Sequence, residues 1–427
     1  MPQARNFQLG ATLVLLAFSI GALVPGIHAQ DAVCSGGFGS FESKFLTGVA
    51  VSVDATRNGR FAAHFCEAKL DWDKQGLVVE PKAWQVDVDA MGIDLGLGSP
   101  VVAFQVKKTD IDRIANYEIY SLKKPPGLLR TIKGGDRYRA ADTDLDGRIE
   151  IWTSDAEAVN GFENISLEGL DFAPTIVLRF ERKRLTDVSS EFPSEFDRQI
   201  VAARAQLDAQ KLGEFKLSDG ALSSKSPIPA DQLHRLLTTK IKILEVVRCY
   251  LYSGREQQAW DALADMWPPA DLERIRTAVA NARDHGIRSQ VDDVSHETKP
   301  SQFKNKHAMI YDRVSDSDSD QGDPLSWDYA PGMSGPGKAK HLFDADTFPI
   351  QILLQRPPPQ DASWVVSGDA VMMNLVVDAA GKVRSAKAEG KPDKAMEDAT
   401  ADWKFIPAFK DGRPVASRLR IAVSPLR

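Results

Sequence analysis

Over residues 49–182 apolar and polar positions alternate with a period of two. Trp84, Val86 and Val88 are interleaved with Gln85, Asp87 and Asp89, the pattern of a half-buried strand. Residues 101–106, 117–122 and 175–180 read as further strands, punctuated by Gly and Pro. This predicts a sandwich or small barrel and leaves its topology open. From 196 to 286 the spacing becomes helical. Pro193 and Ser194 mark a start, and Ala202, Ala203, Ala205, Leu207 and Ala209 suit a first helix. Leu233, Leu236, Leu237, Ile241, Leu244 and Val247 give the apolar face of a second. Gly254 breaks it. Ala259, Trp260, Leu263 and Met266 form the next face, ended by Pro268 and Pro269. Asp271 is placed to cap a last helix, and Gly286 to end it.

Beyond residue 290 hydrophobicity falls. The run SDSDSDQGD is followed by Pro331, Gly332, Gly335, Pro336 and Gly337, a composition that cannot repay ordering entropy and reads as a linker. Pattern returns near the end of the chain. Residues 369–388 form two strand-like runs around Asp378-Ala379-Ala380-Gly381. Ala395, Met396, Ala399 and Trp403 follow at near-helical spacing. A last strand pair turns at Lys410-Asp411-Gly412. The fold class expected is a multidomain α+β chain: a β-rich domain over 30–187, a helical domain over 188–290, a flexible linker over 291–345 and a small αβ domain over 346–427.

The N-terminus bears on compartment. Arg5 is the one early charge, an apolar run follows over 9–24, and Pro25 and Ala29 stand before Gln30. That is the layout of a cleaved signal peptide over 1–29, hence a periplasmic or secreted protein. The alternative is an uncleaved inner-membrane anchor, which would be the chain's only membrane contact. The run is short for a span and Pro25 interrupts it. In an oxidising compartment Cys34 and Cys66 can pair as a disulfide, leaving Cys249 as an inert thiol on an apolar helix. The 427 residues carry a net charge of −6, and no basic run interleaved with aromatics is present, so nucleic acid is not an expected partner.

One stretch carries candidate metal chemistry: Asp142-Thr143-Asp144-Leu145-Asp146-Gly147-Arg148-Ile149-Glu150. Carboxylates of Asp142, Asp144, Asp146 and Glu150 around a glycine can converge on one hard cation, and Ca²⁺ is the cation that suits a flexible oxygen cage. Thr153 stands where an EF-hand has its last Glu. The run DTDLDGRIEIW resembles the calcium loops of FG-GAP/VCBS-type repeats, in which the chain continues into a strand. The other reading is a solvated acidic turn. Asp155, Glu157, Glu163, Glu168 and Asp171 cluster in the same region, and paired carboxylates can run glycoside hydrolysis. No HExxH pair, G-x-S-x-G elbow, P-loop or dinucleotide fingerprint occurs in the chain.

The last 80 or so residues, with VVDAAGKV, DWKFIPA and DGRPV in that order, resemble the C-terminal domain of TonB-type energy transducers. Residues 244–267, with Tyr250, Gly254 and Ala259, faintly resemble one tetratricopeptide helix pair; an ordinary helical bundle core is the preferred reading. The TonB resemblance implies binding by strand addition, in which an extended peptide of an envelope protein or outer-membrane transporter pairs with a sheet edge. The edge expected to do so is the last strand, with Arg418, Leu419, Arg420, Ile421 and Val423. The function expected is therefore an exported cell-envelope binding protein linked to outer-membrane transport. A secreted calcium-dependent hydrolase or carbohydrate-binding protein, acting through the β-rich domain, is the alternative.

Overall fold

Strand formation starts where β-branched residues and alternation coincide. In the structure, a computed structural model, the described residues are 32–45, 47–57, 64–111, 113–165, 172–222, 228–292, 311–314, 351–354, 371–390, 394–410 and 413–423. The expected signal segment lies outside them, as does most of the expected linker. Strands and helices both contribute, which makes this an α+β chain. No helix among the described residues is long and apolar enough to cross a membrane.

The first strands are β1 (Cys34–Ser35), β2 (Ser40–Lys44), β3 (Ala50–Arg57), β4 (His64–Trp72), β5 (Gln75–Ala83), β6 (Gln85–Ile93), β7 (Val101–Lys107), β8 (Ala115–Ser121) and β9 (Gly127–Gly135). They build two antiparallel sheets, β2-β3-β4-β5 and β1-β6-β7-β8-β9. The second sheet is buried on both sides. Val102, Phe104 and Val106 join Val51, Val53, Ala68 and Leu70 in one core. Val101, Ala103, Tyr117 and Ile119 face another. Two-sided burial explains why residues 101–106 read as a near-continuous apolar run. A disulfide joins Cys34 to Cys66 inside the first of these cores. With 32 residues separating the pair, a Cys34→Ala/Cys66→Ala variant is expected to lose roughly 2–4 kcal/mol in urea unfolding, chiefly by freeing the unfolded chain. A loss too small to measure would mean that the closed loop hardly restricts the unfolded state.

A third sheet follows in chain order: β10 (Arg139–Ala141), β11 (Glu150–Ser154), β12 (Thr175–Glu181) and β13 (Arg184–Asp187). Its inner residues Ile151, Ile176 and Leu178 share one core with five helices. These are α1 (Pro193–Arg204), α2 (Ala209–Lys216), α3 (Ala230–Tyr252), α4 (Glu256–Met266) and α5 (Leu272–His285). Two details depart from the sequence reading. The first helix stops at Arg204, and Asp208 begins another by accepting from the Lys211 N–H at 2.7 Å; an Asp with a free acceptor favours a new start over continuation. Asp271 does not cap α5, because its carboxylate is taken by Trp267 Nε1 at 2.9 Å and by Arg274. Cys249 is a free, buried thiol.

The C-terminal strands are β14 (Tyr311–Val314), β15 (Gln351–Leu354), β16 (Val371–Val377) and β17 (Val383–Ala388). Helix α6 (Lys394–Ala401) is followed by β18 (Lys404–Ile406), β19 (Ala408–Lys410), β20 (Arg413–Val415) and β21 (Ser417–Val423). The main sheet has the order β14-β21-β16-β17. Met373, Leu375, Val377, Met396, Trp403, Phe405, Leu419 and Ile421 form its core. The turn between β16 and β17 sits elsewhere, with Ala379 and Ala380 in the large core shared by the third sheet and the helices. Gly381 makes that possible. Its φ is +78°, and a Cβ there would lie 1.9 Å from the Phe405 carbonyl oxygen.

Candidate functional site

Antiparallel pairing of Ala141 with Glu150 closes a hairpin whose connecting loop is the acidic stretch. The loop curls because Leu145 and Gly147 take φ of 62° and 85°. Nothing lies within 4 Å of a Cβ built on Gly147, so the backbone angle and not space demands glycine there. Side chains then tie the loop to itself. The Gly147 N–H donates to Asp142 Oδ2 at 3.2 Å, the Asp146 N–H to Asp144 Oδ1 at 3.3 Å, and the Arg148 N–H to Asp146 Oδ1 at 2.8 Å. Trp152 Nε1 donates to Thr143 Oγ1 at 2.7 Å.

These bonds bring carboxylate oxygens of Asp142, Asp144 and Asp146 within 4.8 Å of one another. Asp142 is 1% exposed, and its Oδ1 has no hydrogen-bond partner. Burial, then Asp378 and Asp146, push its carboxyl up to about 7. Burial and Asp146 also raise Asp144. Without a cation this is a site where negative charge is crowded and one buried acceptor is left unmet, an arrangement that a hard divalent ion would relieve. Carboxylate oxygens are donors of the class that Ca²⁺ takes.

Glu150, the fourth expected ligand, does not join the group of three. Its Oε2 accepts from the Thr143 N–H at 2.9 Å, and its Oε1, which lacks a hydrogen bond, lies 3.6 Å from Arg179 NH1. Burial pushes its carboxyl up to about 8 against the pull of the Thr143 N–H and Arg179. Glu150 braces the base of the loop from within the third sheet. Strand β11 begins at this residue, and its side chain is spent on Arg179 and the loop backbone.

A residue that sequence reasoning missed reaches the loop from the far end of the chain. Asp378 Oδ2 accepts the Asp142 N–H at 3.2 Å, across 236 positions. Its Oδ1 accepts the N–H groups of Ala380 and Lys382, both at 2.9 Å. Arg384 NH2 donates to the Thr143 carbonyl at 3.0 Å. Two lysines fasten the same region: Lys382 Nζ binds Asp89, and Lys404 Nζ binds Asp87 at 3.1 Å. The only local signal was the turn Asp378-Ala379-Ala380-Gly381, which says nothing of its distant partner.

The strand-addition edge needs correction. Over residues 417–420 β21 is an inner strand. It pairs antiparallel with β16 on one side and parallel with β14 on the other, Tyr311 opposite Ser417 through Val314 opposite Arg420. Arg418, Leu419 and Arg420 therefore do not form a free edge. Ile421 and Val423 pair with β16 through Met373 and Val371 and lie past the end of the β14 register. The physical cause is that the chain carries its own extended segment, and open N–H and C=O groups on a sheet margin take whatever strand is nearest.

The acidic cluster weighed for hydrolysis is committed to structure where it is described. Asp155 accepts from Tyr252 OH at 2.8 Å and from the Ile287 and Ala158 N–H groups, tying the third sheet to the helices. Glu163 is held by Lys240 Nζ at 2.9 Å and by Arg274. Glu157 is exposed, and Glu168 and Asp171 lie outside the described residues. Comparison with protein-family models, with curated proteins and with solved structures returns no match.

Proposed function

We propose that this chain is an exported cell-envelope protein that holds partner chains by strand addition to a TonB-like C-terminal module and carries Ca²⁺ in its acidic loop. The observation that carries this reading is the pairing of β21 with β14. A sheet margin that takes up a short extended segment in register uses the chemistry of strand addition: backbone hydrogen bonds for affinity, alternate side chains for selectivity. In this reading β14 stands where a partner's peptide would stand, and a partner competes with it. The partner is an extended peptide of an envelope protein or outer-membrane transporter. Asp142, Asp144 and Asp146 are the residues that would hold the ion, with the unmet Asp142 Oδ1 as support.

Proline has no N–H to give a ladder, so Asp312→Pro/Val314→Pro weakens the internal strand and leaves β21 intact. The expected result is severalfold greater capture of an envelope protein by the full-length variant than by the parent, with the contact mapped by cross-linking to residues 417–423. Equal capture by both, or a contact mapped elsewhere, would sink the strand-addition reading. Export itself is checked by the mature N-terminus: a chain beginning at Gln30 in the periplasmic fraction supports it, and an intact Met1 in the membrane fraction points to an anchored protein.

A further inference from the structure

We infer that Asp378 is a positioning residue of the cation loop, so that cation binding at Asp142, Asp144 and Asp146 and docking of the C-terminal module are one coupled event. This rests on the Ca²⁺ reading of the loop. Asp142 is used twice over. Its carboxylate carries a buried oxygen with no hydrogen-bond partner, and its main-chain N–H is held by Asp378. The backbone from which that oxygen projects is thus fixed by a residue of the C-terminal module. The next residue is gripped as well, through the Thr143 carbonyl and Arg384. Asp378 is fully buried and is itself locked by two N–H groups of its own turn, so it can hold Asp142 only while the whole turn is seated.

Charge gives the coupling its sign. Seating the turn brings the Asp378 carboxylate against Asp142, in a loop that already gathers Asp144 and Asp146. Like charges at this range oppose docking, and a bound divalent cation removes that opposition. Linkage is reciprocal: whatever the ion adds to docking, docking adds to ion affinity. The three ligands alone would be a local site; gripped by Asp378 and Arg384, they report on, and control, a module that lies more than two hundred positions away in sequence.

The test is hydrogen exchange on the full chain in Ca²⁺ and in chelator. The Ala380 and Lys382 amides, which donate to Asp378, are expected to exchange about tenfold more slowly with Ca²⁺, within the usual range of coupling between sites. Protection of residues 142–150 without any change at 378–384 overturns the coupling and leaves the Ca²⁺ site standing. No protection at either place overturns both. A second variant separates coupling from plain electrostatics. Arg384→Met removes a positive charge beside the loop, which by charge alone would tighten Ca²⁺ binding. Coupling predicts the reverse, about three- to tenfold weaker binding in a calcium titration of the folded variant. Unchanged or tighter binding counts against the proposal.

Discussion

Calcium at about a thousand times its dissociation constant is expected to stabilise the chain by about 4 kcal/mol, and chelator to reverse this. For a chain of this size that is a rise of roughly 4–5 °C in the thermal midpoint. The stabilisation arises because only the folded hairpin gathers Asp142, Asp144 and Asp146 within 4.8 Å; an unfolded chain offers three separate carboxylates with little affinity for the ion. Asp144→Ala removes one ligand and should abolish the shift. The same substitution also removes one of the charges crowded around Asp142. In chelator the variant should therefore melt at or above the parent, which a merely damaged loop would not do. Differential scanning calorimetry of both proteins in both buffers decides the matter. A parent whose midpoint ignores Ca²⁺, or a variant that keeps the shift, would falsify the assignment.

What was legible in the sequence and what was not divides by the reach of the interaction. The acidic loop, the alternation at Trp84, Val86 and Val88, and the turn at residues 378–381 are local. Each follows from the conformational preferences of neighbouring residues, so a short window contains the whole reason for it. The ties that seat the C-terminal turn are not local. Asp378 meets Asp142, Lys382 meets Asp89 and Lys404 meets Asp87 across 236, 293 and 317 positions. Nothing within a window around Lys382 distinguishes it from a solvated lysine; its role exists only once Asp89 has been buried in the second sheet. The same limit explains the misplaced edge. Residues 418–421 do alternate as an edge strand should, with Leu419 and Ile421 inward and Arg418 and Arg420 outward. Whether a neighbour covers that margin depends on residues 311–314, whose pairing no pattern within β21 can announce.

Replacing Lys382 by Met is expected to cost about 3–5 kcal/mol in stability at neutral pH, because it strips the cation from a buried carboxylate. Asp89 is 1% exposed and accepts from Tyr117 OH at 3.0 Å and the Ala140 N–H at 2.7 Å, with Lys382 as its ion-pair partner. Burial works to raise the Asp89 carboxyl, but Lys382 and then Lys404 outweigh it and hold the group below its ordinary 3.8. The folded parent therefore prefers the ionised form more than the unfolded chain does. This contribution is fully present above the unfolded value and is lost as pH falls through the lower folded one. In Lys382→Met burial is opposed by less positive charge, the folded pKa moves up, and the sign of this group's contribution reverses: the variant should gain more stability than the parent on acidification from pH 7 toward 5. Asp89→Asn in the Lys382→Met background removes the stranded charge and keeps an acceptor for Tyr117 and Ala140, so it should recover most of the loss. Urea unfolding of the parent, the single variant and the double variant at pH 5 and pH 7 reads all of this at once. A single variant within about 1 kcal/mol of the parent would place Lys382 among surface ion pairs of little consequence, and the C-terminal turn would then be held by its alanines and by Asp378 instead.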